Sequence, residues 1–375
     1  MNVHVNLEQK AKQNLLGMTL QDLEAFFTES GEKAFRASQV MKWVHQLLVD
    51  DFDDMTNLSK SLREKLQQIA SIDAPEIVFD QTSSDGTRKW LMQLEGGNKV
   101  ETVYIPESNR GTLCISSQVG CALDCSFCST ARQGFSRNLT SAEIVAQVWM
   151  AGRLLGKDNR DDRKITNIVL MGMGEPLLNY ENVLKATDIF MEDNAYGISK
   201  RRVTLSTSGV LPKLDQLGIE SEVSLAVSLH AVTDEVRDSL VPINKKYPLK
   251  DLMASCRGYI KNQTAKSSHI TFEYVMLKGV NDSREEAVKM AKMLKGIPAK
   301  INLIPFNPFP DSGYECSDMK VIESFKQQLM KLGLVATIRK TRGEDIDAAC
   351  GQLVGKVEDK SRRERKFEQP RYGMN

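Results

Sequence analysis

Cys121, Cys125 and Cys128 crowd into the run Val119-Gly-Cys-Ala-Leu-Asp-Cys-Ser-Phe-Cys128, and thiols at this density read as metal ligands. Thiolate sulfur selects soft metals, either zinc or the iron of iron–sulfur clusters. A structural zinc site closes with four ligands, whereas this run supplies three. Either Cys114, seven residues upstream, closes a zinc site, or the three thiolates hold a cubane cluster with one iron open. An open iron can chelate a small molecule that carries an amine and a carboxylate beside a cleavable sulfonium.

The spacing C-x3-C-x2-C, with Phe127 just before the last cysteine, resembles the radical S-adenosylmethionine signature and differs from four-ligand ferredoxin runs. S-adenosylmethionine is the small molecule that such an iron would take. A second thiol, Cys350, sits in the glycine-flanked, charge-rich stretch Arg339-Lys-Thr-Arg342-Gly-Glu-Asp-Ile-Asp-Ala-Ala-Cys350-Gly-Gln. Several arginines bias a nearby thiol toward the thiolate, hence toward nucleophilic work. Cys256 lies in a helical pattern and Cys316 in a Pro/Gly/Ser loop, and neither is given a role.

Gly172-x-Gly174 is not a dinucleotide fingerprint, because the third glycine position holds Leu177 and Pro176 removes a backbone donor. A glycine-rich strand end of this kind lets backbone carbonyls approach a ligand amine, with Glu175 adding a charge to meet it. Ser206 and His230 are a hydroxyl and an imidazole suited to carboxylate and ribose contacts. His4, His45 and His269 have no partner at ligand spacing and read as surface or core residues.

These residues need a scaffold, and the hydrophobic pattern supplies one. Residues 1–75 are expected to form a helical accessory module, with apolar positions at helical spacing in Leu20, Leu23, Phe26 and Phe27 and again in Val40, Trp43, Val44, Leu47 and Leu48. Within 76–111, the runs Arg88–Leu94 and Lys99–Ile105 around Glu95-Gly-Gly-Asn98 predict a bridging β-hairpin. From 112 to 345 the pattern alternates strand and helix, with strands at Leu113, Ile168, Val203, Val223, Ile270, Ile301 and Val335. About six units of this kind predict an α/β fold, a partial, open (β/α)6 barrel with active groups at the carboxyl ends of the strands. The cysteine run, Gly172–Pro176, Ser206–Gly209, Ser228–His230 and Asn307–Pro310 all follow strands and should share one rim. Residues 346–375 form a C-terminal segment that carries Cys350 and a basic tail.

The 375 residues, 41% hydrophobic and 26% charged, suit a soluble chain, and no apolar run is long enough to cross a membrane. With no basic-then-apolar start and an odd count of seven cysteines, a reducing, cytoplasmic setting is expected, and the chain is expected to be a monomer. The net charge of +1 hides basic islands at Lys200-Arg-Arg202, at Arg339–Arg342 and from Lys356 to Arg371, each a candidate RNA contact.

Together with Phe35-Arg-Ala37, Asp53-Asp-Met-Thr-Asn-Leu58, Val100-Glu-Thr-Val-Tyr-Ile-Pro106, Ser117-Gln-Val-Gly-Cys121, Gly172-Met-Gly-Glu-Pro-Leu177 and Asp345–Gln352, the chain resembles the radical S-adenosylmethionine adenine-carbon-2 RNA methyltransferases, the ribosomal large subunit methyltransferase N family. The resemblance covers nearly the whole chain. It implies a [4Fe-4S] cluster on Cys121, Cys125 and Cys128, and two S-adenosylmethionine molecules per turnover bound by Gly174, Glu175, Ser206, Ser228, Leu229, His230 and Asn307. It further implies Cys350 as methyl carrier, Cys114 as the thiol that resolves a protein–RNA adduct through a disulfide, and Glu101 as the base for the carbon-2 proton. The hard step is the cofactor's, since adenine carbon 2 is electron-poor and cannot attack a sulfonium methyl. The implied partners are an adenine in the peptidyl transferase centre of 23S rRNA, the adenine 3′ to the anticodon of some tRNAs, and an electron donor such as flavodoxin or ferredoxin with its reductase. Single-stranded or loop adenines suit the reaction, because their edges are reachable. The rival readings are the related carbon-8 methyltransferase and a non-enzymatic, zinc-bearing RNA-binding protein.

Overall fold

In a computed structural model, which describes residues 12–156, 164–264, 268–309, 312–348 and 351–353, ten strands form one sheet whose spatial order follows chain order. They are β1 (Glu76–Thr82), β2 (Arg88–Gln93), β3 (Lys99–Glu107), β4 (Arg110–Cys114), β5 (Asn167–Leu170), β6 (Val203–Thr207), β7 (Ser224–Ser228), β8 (Ile270–Met276), β9 (Ala299–Pro305) and β10 (Val335–Ile338). Strands β1 to β4 pair antiparallel, and β4 to β10 pair parallel. Helices Ser141–Leu155, Tyr180–Met191, Leu211–Glu220, Leu249–Asn262, Arg284–Met293 and Met319–Lys331 cross between the parallel strands, one for each of six crossovers. The sheet therefore curves as an open partial barrel, with β1 and β10 as its edges.

Local chemistry explains the elements. The central strand β8 is buried at six of its seven positions, as expected of a parallel strand covered on both faces. Helix Ser141–Leu155 starts on a capping box formed by Thr140 and Glu143 and buries Ile144, Val145, Val148 and Trp149. In the accessory module, helix Leu20–Glu29 starts on a second capping box, Thr19 with Asp22. The predicted periodicity around Val40 to Leu48 is present as helix Arg36–Met41 running into a π-turn at Lys42–Gln46. The module docks on the barrel through Trp149 Nε1, which donates to the Val44 carbonyl at 2.8 Å, and through Ser141 Oγ, which donates to the Gly17 carbonyl at 2.9 Å. Gly17 is required there, since a Cβ would lie 2.4 Å from the Ala142 nitrogen.

The predicted hairpin is β2–β3, closed by a turn in which Gly96 has φ +79°. The structure adds β1 outside it and shows β3 bonded to β4, so the antiparallel strands extend the barrel's own sheet. Among the described residues, no helix is long and apolar enough to cross a membrane.

Candidate active site

The carboxyl ends of the strands surround a chamber lined by Cys114, Cys121, Cys125, Phe127, Cys128, Gly174, Glu175, Ser206, Ser228, His230 and Asn307, among others. All five segments expected on one rim contribute to it. Of the residues implied for S-adenosylmethionine, Leu229 alone does not face the chamber. Its side chain is fully buried in the core, while its carbonyl accepts from Arg237 Nε at 3.0 Å.

The cysteine loop leaves the short strand Gln118–Gly120 and returns through helix Ser129–Arg132 to Phe135–Asn138, which pairs antiparallel with it. Backbone bonds from Cys121 N to Gly134 O (2.7 Å) and from Ser126 N to Leu240 O (3.1 Å) fix its start and its interior. Burial raises the Cys121 thiol well above its ordinary range, and Cys125 and Cys128 push it further. Burial and Cys128 likewise push Cys125 up to about 12. Buried thiols that oppose one another's ionisation call for a cationic guest, and metal binding deprotonates such thiols outright. Among the described residues, no three His, Cys, Asp or Glu side chains converge on a single ion.

Beside the cysteines, the ends of β4 and β5 lock together. Ser117 N and Gln118 N donate to the Met173 carbonyl (2.8 and 3.2 Å), and Glu175 N donates to Gln118 Oε1 (2.9 Å). A Cβ on Gly174, whose φ is +100°, would lie 2.5 Å from Gln118 Cβ. The glycines therefore serve first to bring two strand ends together. Glu175, expected to meet a ligand amine, also binds within the protein: one carboxylate oxygen accepts from Leu177 N at 3.1 Å and the other from Ser208 N at 2.8 Å. Burial raises its pKa, and these backbone bonds work against the rise.

His230 takes a left-handed backbone, φ +58°, and its Nδ1 accepts from Val275 N at 3.1 Å. The ring proton of the neutral form is thereby assigned to Nε2. Burial drives the imidazole pKa down to about 3, so the ring is neutral at physiological pH, with its edge against Phe127 at 4.5 Å between centroids.

Two buried charges near the strand ends escaped the sequence, Arg237 and Glu273. Arg237 is completely buried in helix Asp234–Leu240 and donates to the carbonyls of Ser208, Ser228 and Leu229 and to Asn244 Oδ1. One guanidinium thus ties the ends of β6 and β7, and burial lowers its pKa to about 10. Glu273 lines the chamber itself, as does Arg339 from the predicted basic island. Burial raises Glu273, while Arg339 and a 2.8 Å bond from Asn302 Nδ2 offset part of the rise. No motif marks Arg237 or Glu273, since each is one charge inside an ordinary helix or strand.

Cys114 ends β4 opposite Val103 of β3. Glu101 lies on the same β3 face as Val103 and Ile105, both chamber residues, and is itself buried against Lys89 Nζ at 3.3 Å. Cys350 lies outside the described residues, as does the basic tail from 354 onward. Ala348 and Gly351, on either side of Cys350, both line the chamber. Ser129 N donates to the Gly351 carbonyl (2.8 Å), and Thr130 Oγ1 to the Leu353 carbonyl (2.8 Å), so this segment is tied to the helix that follows the cysteine run.

Two family models match the chain: the ribosomal RNA large subunit methyltransferase N-terminal domain over residues 13–72, and the radical SAM superfamily over residues 115–291. A dual-specificity RNA methyltransferase RlmN from Marinobacter nauticus is 59% identical over 356 residues, covering 95% of this chain and 96% of that one. A crystal structure of a radical SAM methyltransferase from Sphaerobacter thermophilus matches with a TM-score of 0.84 and 42% identity, over 91% of this chain and 99% of that one.

Proposed function

The chain belongs to the RlmN family of dual-specificity, radical SAM RNA methyltransferases, and from that membership we propose that it methylates carbon 2 of one adenine in the peptidyl transferase centre of 23S rRNA and of the adenine 3′ to the anticodon in a subset of tRNAs. The observation that carries this reading is the shared chamber: the three cluster cysteines, Cys114 and both described flanks of Cys350 line one cavity. The cluster on Cys121, Cys125 and Cys128, with two S-adenosylmethionine molecules, supplies the methyl group and the one-electron chemistry that makes it reactive toward an electron-poor ring carbon.

The chain's own groups have distinct tasks in this proposal. Cys350 carries the methyl carbon as a thioether; once the one-electron chemistry has removed one hydrogen atom from that methyl, its carbon would bond to adenine carbon 2 and so join Cys350 covalently to the RNA. Glu101 takes the proton from adenine carbon 2. Cys114 thiolate then attacks the Cys350 sulfur, so that a sulfur–sulfur bond forms, the sulfur–carbon bond breaks, and its electron pair stays on the methylene, which gains a proton to become methyl. An electron donor of the flavodoxin or ferredoxin class, and a reductant for the disulfide, complete a turnover. Ser206, Ser228, His230 and Asn307 offer polar contacts to S-adenosylmethionine beside the cysteines, and Gly174 and Glu175 shape its seat. RNA from cells with and without the gene, digested to nucleosides and resolved by mass and retention, tests the reading. Loss of 2-methyladenosine from both rRNA and tRNA is expected. Loss of 8-methyladenosine instead, or of neither nucleoside, would overturn the assignment.

A further inference from the structure

Lys89 is the second residue of β2, and the chemistry above leaves it unused. Its side chain is 10% exposed, and its Nζ lies 3.3 Å from Glu101 Oε1, whose side chain is 7% exposed. Lys89 stands opposite Val103 in the β2–β3 register and Leu91 stands opposite Glu101, so the two charges meet diagonally on the face that looks toward the chamber. The same ammonium donates to the main-chain carbonyl of Asp347 at 3.3 Å, three residues before Cys350. Asp347 holds φ +50°, a left-handed backbone that costs a residue other than glycine free energy unless its surroundings enforce it.

We propose that Lys89 is a positioning residue that couples the ionisation of Glu101 to the loop leading to Cys350. While Glu101 is a carboxylate, the ammonium is fixed between it and the Asp347 carbonyl, and the loop stays in place. When Glu101 takes the carbon-2 proton, the charge attraction between the two side chains disappears. The Asp347 carbonyl then loses an anchored donor, and the strained residue relaxes. The loop is released at the step after which Cys350 must meet Cys114. This inference rests on the proposed roles of Glu101, Cys114 and Cys350, and it adds an order of events to them.

The test uses full-length protein carrying its cluster, without RNA or S-adenosylmethionine, and a mild thiol oxidant that takes two electrons and two protons from the Cys114–Cys350 pair. Disulfide formation is followed by mass analysis of the linked peptides. Lys89→Gln should close the disulfide about tenfold faster than wild type, the size expected for losing a charge-assisted hydrogen bond. Glu101→Gln, which mimics the protonated base, should accelerate closure similarly, and the double variant should be no faster than either single one. Lys89→Arg should stay near wild type. If Lys89→Gln does not fold, Glu101→Gln against wild type carries the test alone. Unchanged closure in either glutamine variant, or effects that multiply in the double variant, would overturn the coupling. RNA trapping by Cys114→Ala involves neither Lys89 nor Glu101: trapping with unchanged closure rates removes only the coupling, whereas no trapping removes the functional reading itself.

Discussion

The barrel rim and the clamp on the C-terminal loop hold functional residues in opposite ways. On the rim, polar groups are buried and bonded several times over. Gln147 accepts from Thr102 Oγ1 and Ser116 N and donates to the Ser116 carbonyl, each at 2.8 Å, and Asn281 donates to the carbonyls of His230 and Val275 while accepting from Leu277 N. At the clamp, the turn between β1 and β2 grips residues 342–345 near solvent: Ser83 Oγ and Ser84 N donate to the Asp345 carboxylate, and Gly343 N donates to Asp85. Ser84 and Asp345 are exposed, so their bonds exchange with water at little net cost. A network sealed from water fixes geometry, whereas an exposed one holds a segment and lets it go. The proposed cofactor site calls for the first property, and the proposed carrier role of Cys350 calls for the second.

Substitutions in the two regions should separate on this basis. The largest effect belongs to the cluster ligands: Cys125→Ala should lose iron, brown colour and methylation together, and a coloured, active variant would contradict the assignment. The two thiols with proposed roles outside the cluster should fail in different ways. Cys350→Ala should give neither product nor RNA adduct with the cluster intact, while Cys114→Ala should stall with RNA covalently attached, seen as a nuclease-sensitive shift on a denaturing gel. Next is Arg237→Met, which leaves three main-chain carbonyls and Asn244 without their buried donor and should cost about 3–5 kcal/mol in denaturant unfolding. Gly174→Ala forces a left-handed alanine against Gln118 and should cost about 1–3 kcal/mol, with weaker S-adenosylmethionine binding by calorimetry.

The smallest effect should come from the clamp. Asp345→Asn weakens bonds made by a carboxylate that itself faces solvent and should leave the melting temperature nearly unchanged while altering disulfide closure by no more than about threefold. The bonds from Ser83 and Ser84 hold the Asp345 carboxyl below the ordinary carboxylate range. Their contribution is therefore present above the unfolded-state pKa and fades as pH falls through the lower, folded-state value. Closure rates of wild type and Asp345→Asn should converge in acid, and a difference that grows there would show that the clamp does not act through this charge.

What the sequence disclosed and what it hid follow the same division. Strand and helix positions were readable because apolar periodicity reports burial directly, and the rim motifs were readable because each follows a strand. Arg237 was not: in Asp-Glu-Val-Arg-Asp-Ser-Leu it looks like part of a solvated helix face, and only the carbonyls of β6 and β7 make its burial tolerable. Gln147 and Lys89 were hidden likewise, since their partners lie on other elements. β1 was missed because its side chains are mostly exposed and carry no alternation to read.

An open sheet must also end somewhere, and its ends carry the risk of self-assembly. Edge strand β1 displays Phe79 at 47% exposure, yet it is interrupted by a register shift between Ile77 and Phe79 and carries Glu76 and Asp80. The opposite edge, β10, is only four residues long. Bulges, charges and brevity are the means by which sheets avoid pairing with their neighbours. Strands β1 to β3 therefore also act as a guard rail: a fragment starting at β4 would expose the edge carrying Leu113 and Cys114, and it should aggregate more readily than the whole chain when the two are compared by light scattering.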